Sequence, residues 1–155
     1  MRTLSWFVPT FLSVALGVCA GQTANFSGSW YLNVEKSHWG SKPKPFSVVL
    51  VIEHKDPVLQ YHGTVTHTNE DTREFAFSGA LDGKEYPMVS SIGPGITVLH
   101  RVDASTFESA FRNADGTHLE TALTSLSRDG KVLTRKISQK TPEGTRTWTE
   151  IYERR

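Results

Sequence analysis

Tyr61, Arg73, His100 and Arg135, with His67 beside them, are the residues most able to do chemistry in this sequence. Each falls in a strand-like segment, on the face that carries the bulkier apolar side chains. A cation facing an apolar interior is costly unless it is paired or wet, so Arg73 and Arg135 imply either a solvated cavity or acidic partners. A guanidinium presents planar donors that match a carboxylate bidentately. The expected chemistry is capture of a polar or anionic head group by Tyr61, Arg73, His100 and Arg135, with Phe75, Phe77, Phe107 and Phe111 along an apolar tail. The competing expectation places one or both arginines at a rim, or pairs them with Glu150.

Other chemistries have less support. The chain has six histidines, but their spacings match no zinc signature, and His62 and His67 fall on opposite faces of a strand. No metal or cofactor is expected. A haem held by one axial histidine, His100 or His67, is a distant alternative. There is no Gly-x-Ser-x-Gly elbow, so no catalytic residue is assigned. A paired-carboxylate site needs two inward acids, whereas Asp56, Glu70, Asp71, Asp82, Asp115, Asp129 and Glu143 fall in turns or on outer faces. Only Glu120 and Glu150 resist placement.

The elements that must position these residues are strands. Ser29 to Val34, Phe46 to His54, Val58 to Thr68, Thr72 to Ser78, Lys84 to Ser90, Ile96 to Val102, Thr106 to Arg112, His118 to Leu126, Val132 to Gln139 and Arg146 to Glu153 all read as β. Three Asp-Gly pairs, at Asp82-Gly83, Asp115-Gly116 and Asp129-Gly130, mark tight hairpins. Alternation places Leu59, Tyr61, Val65 and His67 inside, then Arg73, Phe75 and Phe77, then Ile96, Val98 and His100. Phe107, Ser109 and Phe111 follow, then Leu119, Thr121 and Leu123, then Leu133, Arg135 and Ile137. Sequential hairpins without long crossovers predict a single all-β domain, an antiparallel up-and-down barrel of about ten short strands.

Residues 1–20 read as a secretion signal: Arg2, an apolar run from Leu4 to Val18, and small residues at Val18-Cys19-Ala20. The barrel domain is expected over 21–155, secreted or periplasmic, with no transmembrane segment. Cys19 is the one cysteine, and a lipid anchor there is the alternative to free secretion. The chain has 17 Lys+Arg and 16 Asp+Glu; losing Arg2 leaves the remainder neutral, with no basic stripe for nucleic acid.

Asn25-Phe26-Ser27-Gly28-Ser29-Trp30 opens the first strand, and its Gly-x-Trp resembles the opening of the lipocalins and their calycin relatives. The longer run from Phe26 to Ser37, with Ile52 to Pro57, is similar to a group of secreted bacterial lipocalin-like proteins of largely unassigned function. The resemblance implies a lipocalin-like barrel with Trp30 closing one end, Gly28 turning the chain against it, and a C-terminal arginine, Arg154 ahead of Arg146, over the indole. In the fatty-acid carriers of that superfamily internal Arg and Tyr hold a ligand carboxylate. The expected role is binding of a small apolar or amphiphilic molecule. A packed structural or protein-interaction barrel of the cell envelope is the alternative, and a haem protein or enzyme the third.

Overall fold

The computed structural model describes residues 23–67, 71–90 and 93–155; the segment read as a signal, Cys19 included, lies outside the described residues. Ten strands follow in order: β1 (Gly28–Leu32), β2 (Ser47–Lys55), β3 (Val58–Thr66), β4 (Thr72–Ala80), β5 (Asp82–Ser90), β6 (Gly95–Asp103), β7 (Thr106–Asn113), β8 (Leu119–Leu126), β9 (Val132–Thr141) and β10 (Gly144–Arg154). Each pairs antiparallel with its sequence neighbours, and β1 pairs with β10, closing the barrel. This is the all-β up-and-down barrel that the hairpin spacing predicts.

The Asp-Gly turns behave as their chemistry requires. Gly83, Gly116 and Gly130 have φ of 76°, 72° and 70°, the left-handed region where a Cβ is penalised. In each turn the aspartate accepts a hydrogen bond from the backbone N–H two residues on, at Lys84, Thr117 and Lys131. All three carboxyls are held below their ordinary pKa, Asp82 foremost by the Lys84 N–H, Asp115 by the Thr117 hydroxyl and Asp129 by the Ser127 hydroxyl, with the backbone bonds adding to the last two. The β4–β5 hairpin pivots on Asp82-Gly83, yet β4 and β5 pair only from Phe75↔Ser90 to Phe77↔Met88. The next β5 residue is Pro87, which has no N–H to give to a ladder.

One end of the barrel is sealed. Trp30 is fully buried and its indole N–H donates to the Phe26 carbonyl at 3.0 Å. Arg154 lies opposite Trp30 across the β1–β10 ladder, its guanidinium 4.6 Å from the indole centroid. Gly28 (φ 143°) passes so close that a Cβ there would meet Arg154 Nε at 3.3 Å. Phe26, also fully buried, packs edge-on against Phe107 at 5.0 Å. At the sealed end His54 accepts a hydrogen bond from the Phe26 N–H, and Arg101 pairs with Asp56.

Two strands face the other way from the sequence expectation. Residues directly opposite in an antiparallel ladder share a face, and Phe107, Ser109 and Phe111 do point inward. Thr97 sits opposite Phe111 and Leu99 opposite Ser109, so β6 turns Thr97 and Leu99 inside and His100 outside. Ile96 and Val98 are likewise not the inner residues. On β8 the inward set is Glu120, Ala122 and Thr124, opposite Phe111, Ser109 and Phe107. Leu119 and Leu123 are each 40% exposed, and Thr121 is exposed too. β6 is apolar on both faces, and on β8 the bulkier residues lie outside, so bulk alone misassigned both. Neighbouring strands decide the facing.

Candidate functional site

The barrel encloses a cavity of about 280 Å³ towards the end opposite Trp30. That is near the lower limit of the ~300–1,000 Å³ typical of small-molecule sites, and far above the ~30 Å³ share of one water. Val48, Leu50 and Ile52 of β2, Tyr61 and Val65 of β3 and Phe75 of β4 line one side. In the closed ring β3 stands across from β8 and β4 across from β9. The facing side is polar: Glu120 of β8, Arg135 and Gln139 of β9, and Trp148, Glu150 and Tyr152 of β10. The segment joining β1 to β2 adds Lys42, Pro43 and Pro45 near the mouth.

The polar wall is built by cross-strand register. Arg135 lies opposite Glu150 and opposite Thr124. Its Nη1 donates to Glu150 Oε2 at 3.2 Å, and its Nη2 is 4.0 Å from Glu120 Oε1. Glu150 is buried and accepts two further bonds of 2.8 Å, from the Trp148 indole and the Tyr152 hydroxyl. Gln139 donates to Glu120 Oε2 at 3.3 Å, with His118 Nε2 at 3.9 Å from the same oxygen. The Lys42 ammonium lies 3.6 Å from the Trp148 ring centroid.

The electrostatics follow from those contacts. Burial works against the charge on Glu120, but His118, Arg135 and Lys42 outweigh it and hold the carboxyl below its ordinary pKa. Burial also opposes the charge on Arg135; Glu150 foremost, with Tyr152 and Glu120, raises its pKa nonetheless. Lys42 is lowered by burial, against the pull of Glu150 and Glu120. Burial pushes Tyr61 up to about 12. Glu120 and Glu150 are two inward acids of the kind a glycosidase pair would need. Such a pair requires one carboxyl kept protonated, whereas here Glu120 is held ionised and both Glu150 oxygens are occupied.

Of the residues expected to form a binding site, Tyr61, Arg73, Phe75, Phe107, Phe111 and Arg135 all line this cavity. Arg73 and Arg135 do not converge. Arg73 stands at the mouth, its side chain 52% exposed and paired with Asp71 at 3.3 Å. Phe77 is buried beneath the cavity lining, stacked on Tyr61 at 5.2 Å between ring centroids. His100 is on the outer surface and takes no part, because Leu99 occupies the inward position. The competing expectation is the one met, with Arg73 at the rim and Arg135 paired with Glu150; Lys42, Glu120, Gln139 and Tyr152 were missed. One signal was available: the turn at Pro142-Glu143 sets Glu150 opposite Arg135.

No family model and no curated protein sequence matches the chain. Among solved structures it is similar to a Schistosoma mansoni fatty acid binding protein in complex with arachidonic acid, with a TM-score of 0.57 and 13% identity. That alignment covers 87% of this chain and 99% of the other. It is also similar to Rv2717c from M. tuberculosis, with a TM-score of 0.52 and 15% identity over 84% of this chain and 92% of that one. The fold is fatty-acid-binding-protein-like. At the level of fold this agrees with the calycin resemblance of the Gly28–Trp30 opening.

Proposed function

We propose that this protein is a small-molecule binding module, holding an apolar ligand with its polar or anionic head against the Arg135 wall. The observation that carries the reading is a cavity of about 280 Å³ with one apolar and one polar side. A barrel filled with its own side chains leaves only voids near the size of a water molecule. Burying the tail against Val48, Leu50, Phe75 and Phe107 supplies non-directional driving force, and the polar wall fixes orientation. The fatty acid binding protein of similar fold, with its arachidonic acid, supports the same reading by analogy of fold alone.

The test is titration with N-phenylnaphthylamine, an uncharged apolar fluorophore, alongside native mass spectrometry of protein purified from its own host. Saturable one-to-one binding, abolished by filling the cavity through Ser109→Phe, is expected. No saturable binding and no retained molecule would leave the packed structural barrel as the better description. The reading also includes export to the periplasm or beyond, on the strength of the apolar run from Leu4 to Val18. N-terminal sequencing of exported protein, expected to begin at Gly21, checks this; a product beginning at a lipidated Cys19 would replace free export with anchoring.

A further inference from the structure

We infer that the head group bound here is uncharged, one that both donates and accepts hydrogen bonds, such as a primary amide or an alcohol, and not a carboxylate. This rests on the ligand-binding reading above and narrows it.

Charge comes first. The polar wall carries two cations, Arg135 and Lys42, and two anions, Glu120 and Glu150. These formal charges cancel. At the mouth the lining adds Arg73, paired with Asp71, and Glu74, which together bring no net positive charge. A carboxylate entering this wall would leave three anions facing two cations at side chains only 9–26% exposed to water. Like charges at close range there oppose ionisation, and a poorly hydrated charge is costly unless compensated. An ammonium head meets the mirror problem, with three cations facing two anions. A neutral head leaves the balance intact.

Hydrogen-bond supply then selects among neutral heads. Glu150 is fully engaged, by Arg135, Trp148 and Tyr152. Glu120 is not: its Oε2 takes Gln139, while its Oε1, at 4.0 Å from Arg135 Nη2, has no hydrogen-bond partner among the described residues. The Glu120 side chain is 26% exposed, so that oxygen can accept from a ligand in the cavity. On the donor side, the Lys42 ammonium rests on the Trp148 face and makes no hydrogen bond among the described residues. Arg135 donates to Glu150 through Nη1 and also faces the Tyr152 hydroxyl, while its Nη2, 4.0 Å from Glu120 Oε1, lies on the cavity side. An amide carbonyl can take Lys42 or Arg135 while its N–H₂ gives to Glu120 Oε1. A hydroxyl can do both through one oxygen. A carboxylate satisfies the donors and leaves Glu120 facing another acceptor.

The test is isothermal titration calorimetry at neutral pH with four ligands of equal chain length: decanamide, decan-1-ol, decanoate and decylammonium. The expected order puts decanamide and decan-1-ol at least about tenfold tighter than either ion. In Glu120→Gln the wall becomes net positive, and the ratio of decanoate to decanamide affinity should rise about tenfold. Decanoate or decylammonium as the tightest ligand of the parent protein overturns the inference while leaving the ligand-binding reading in place. An unmoved ratio in Glu120→Gln also overturns it. If that variant does not fold, the parent series still decides. Failure of all four ligands, together with failure of N-phenylnaphthylamine, removes the ligand-binding reading and this inference with it.

Discussion

Replacing Arg135 with Met should cost about 2–3 kcal/mol of stability, and the sum behind that figure tests how the interior is held together. Arg135 is the cation between Glu150 Oε2 at 3.2 Å and Glu120 Oε1 at 4.0 Å. Deleting one partner of a buried ion pair typically costs about 3–5 kcal/mol, because the other charge is left uncompensated. Two features lower the figure here. The Arg135 side chain is 19% exposed and lines the cavity, so water can reach the vacated place. Glu150 also keeps its bonds to Trp148 and Tyr152, each worth about 1.5–3 kcal/mol to a charged group. Adding Glu150→Gln removes the stranded charge, while the amide still offers its oxygen to the indole N–H and its N–H₂ to the phenol oxygen. The double variant should therefore lose only about 1 kcal/mol relative to the parent, a coupling of at least 1 kcal/mol between the two sites. Urea unfolding followed by tryptophan fluorescence, on parent, both single variants and the double, measures all four corners. If Arg135→Met stays within about 0.5 kcal/mol of the parent, or the two changes simply add, the wall is wet enough to need no compensation. The charge-balance reasoning then fails. A buried arginine held for a ligand alone would have left the fold indifferent to its loss; the contact to Glu150 argues the opposite.

Three other outcomes are expected. Trp30→Ala should lose about 3–5 kcal/mol, since it empties the sealed end and strips Arg154 of its aromatic partner; a urea midpoint unchanged from the parent would contradict the sealing role. Glu120 is held below its ordinary value of 4.5, so its contribution is present above that pH and is lost as pH falls through the lower folded-state value. Thermal unfolding should weaken on acidification, with a shallower fall in Glu120→Gln; an identical pH profile would contradict the pairing. A methyl group on Gly63 would lie 2.1 Å from Phe75 Cζ, so Gly63→Ala must displace that ring. About 1–3 kcal/mol of stability should go with it, together with affinity for N-phenylnaphthylamine, and unchanged binding would show that Phe75 does not shape the cavity.

The sequence alone determined everything that depends on local backbone chemistry. Asp-Gly pairs can turn a chain in two residues, and all three lie at hairpin ends with left-handed glycines. Period-two apolar segments between such turns can form only strands, and ten of them in unbroken antiparallel succession close into a barrel. The Trp30–Arg154 pair was legible through the lipocalin-like resemblance of the Gly28–Trp30 opening, which implies a C-terminal arginine over the indole. Facing on β3, β4, β7 and β9 was also legible, since one face of each was clearly the more apolar.

What needed the tertiary structure was facing on β6 and β8, and with it the character of the site. β6 is apolar on both sides, so only its ladder with β7 could put Leu99 in and His100 out. On β8 bulk pointed the wrong way, because Glu120 can turn inward only where Arg135 and Gln139 of β9, with His118 just ahead of β8, compensate it. Lys42 lay in a proline-rich stretch with no period to read, and closure of the ring brought it over Trp148. A buried charge is tolerated according to its neighbours, and neighbours across a ladder are set by pairing between distant segments. Composition along a single strand carries no record of them.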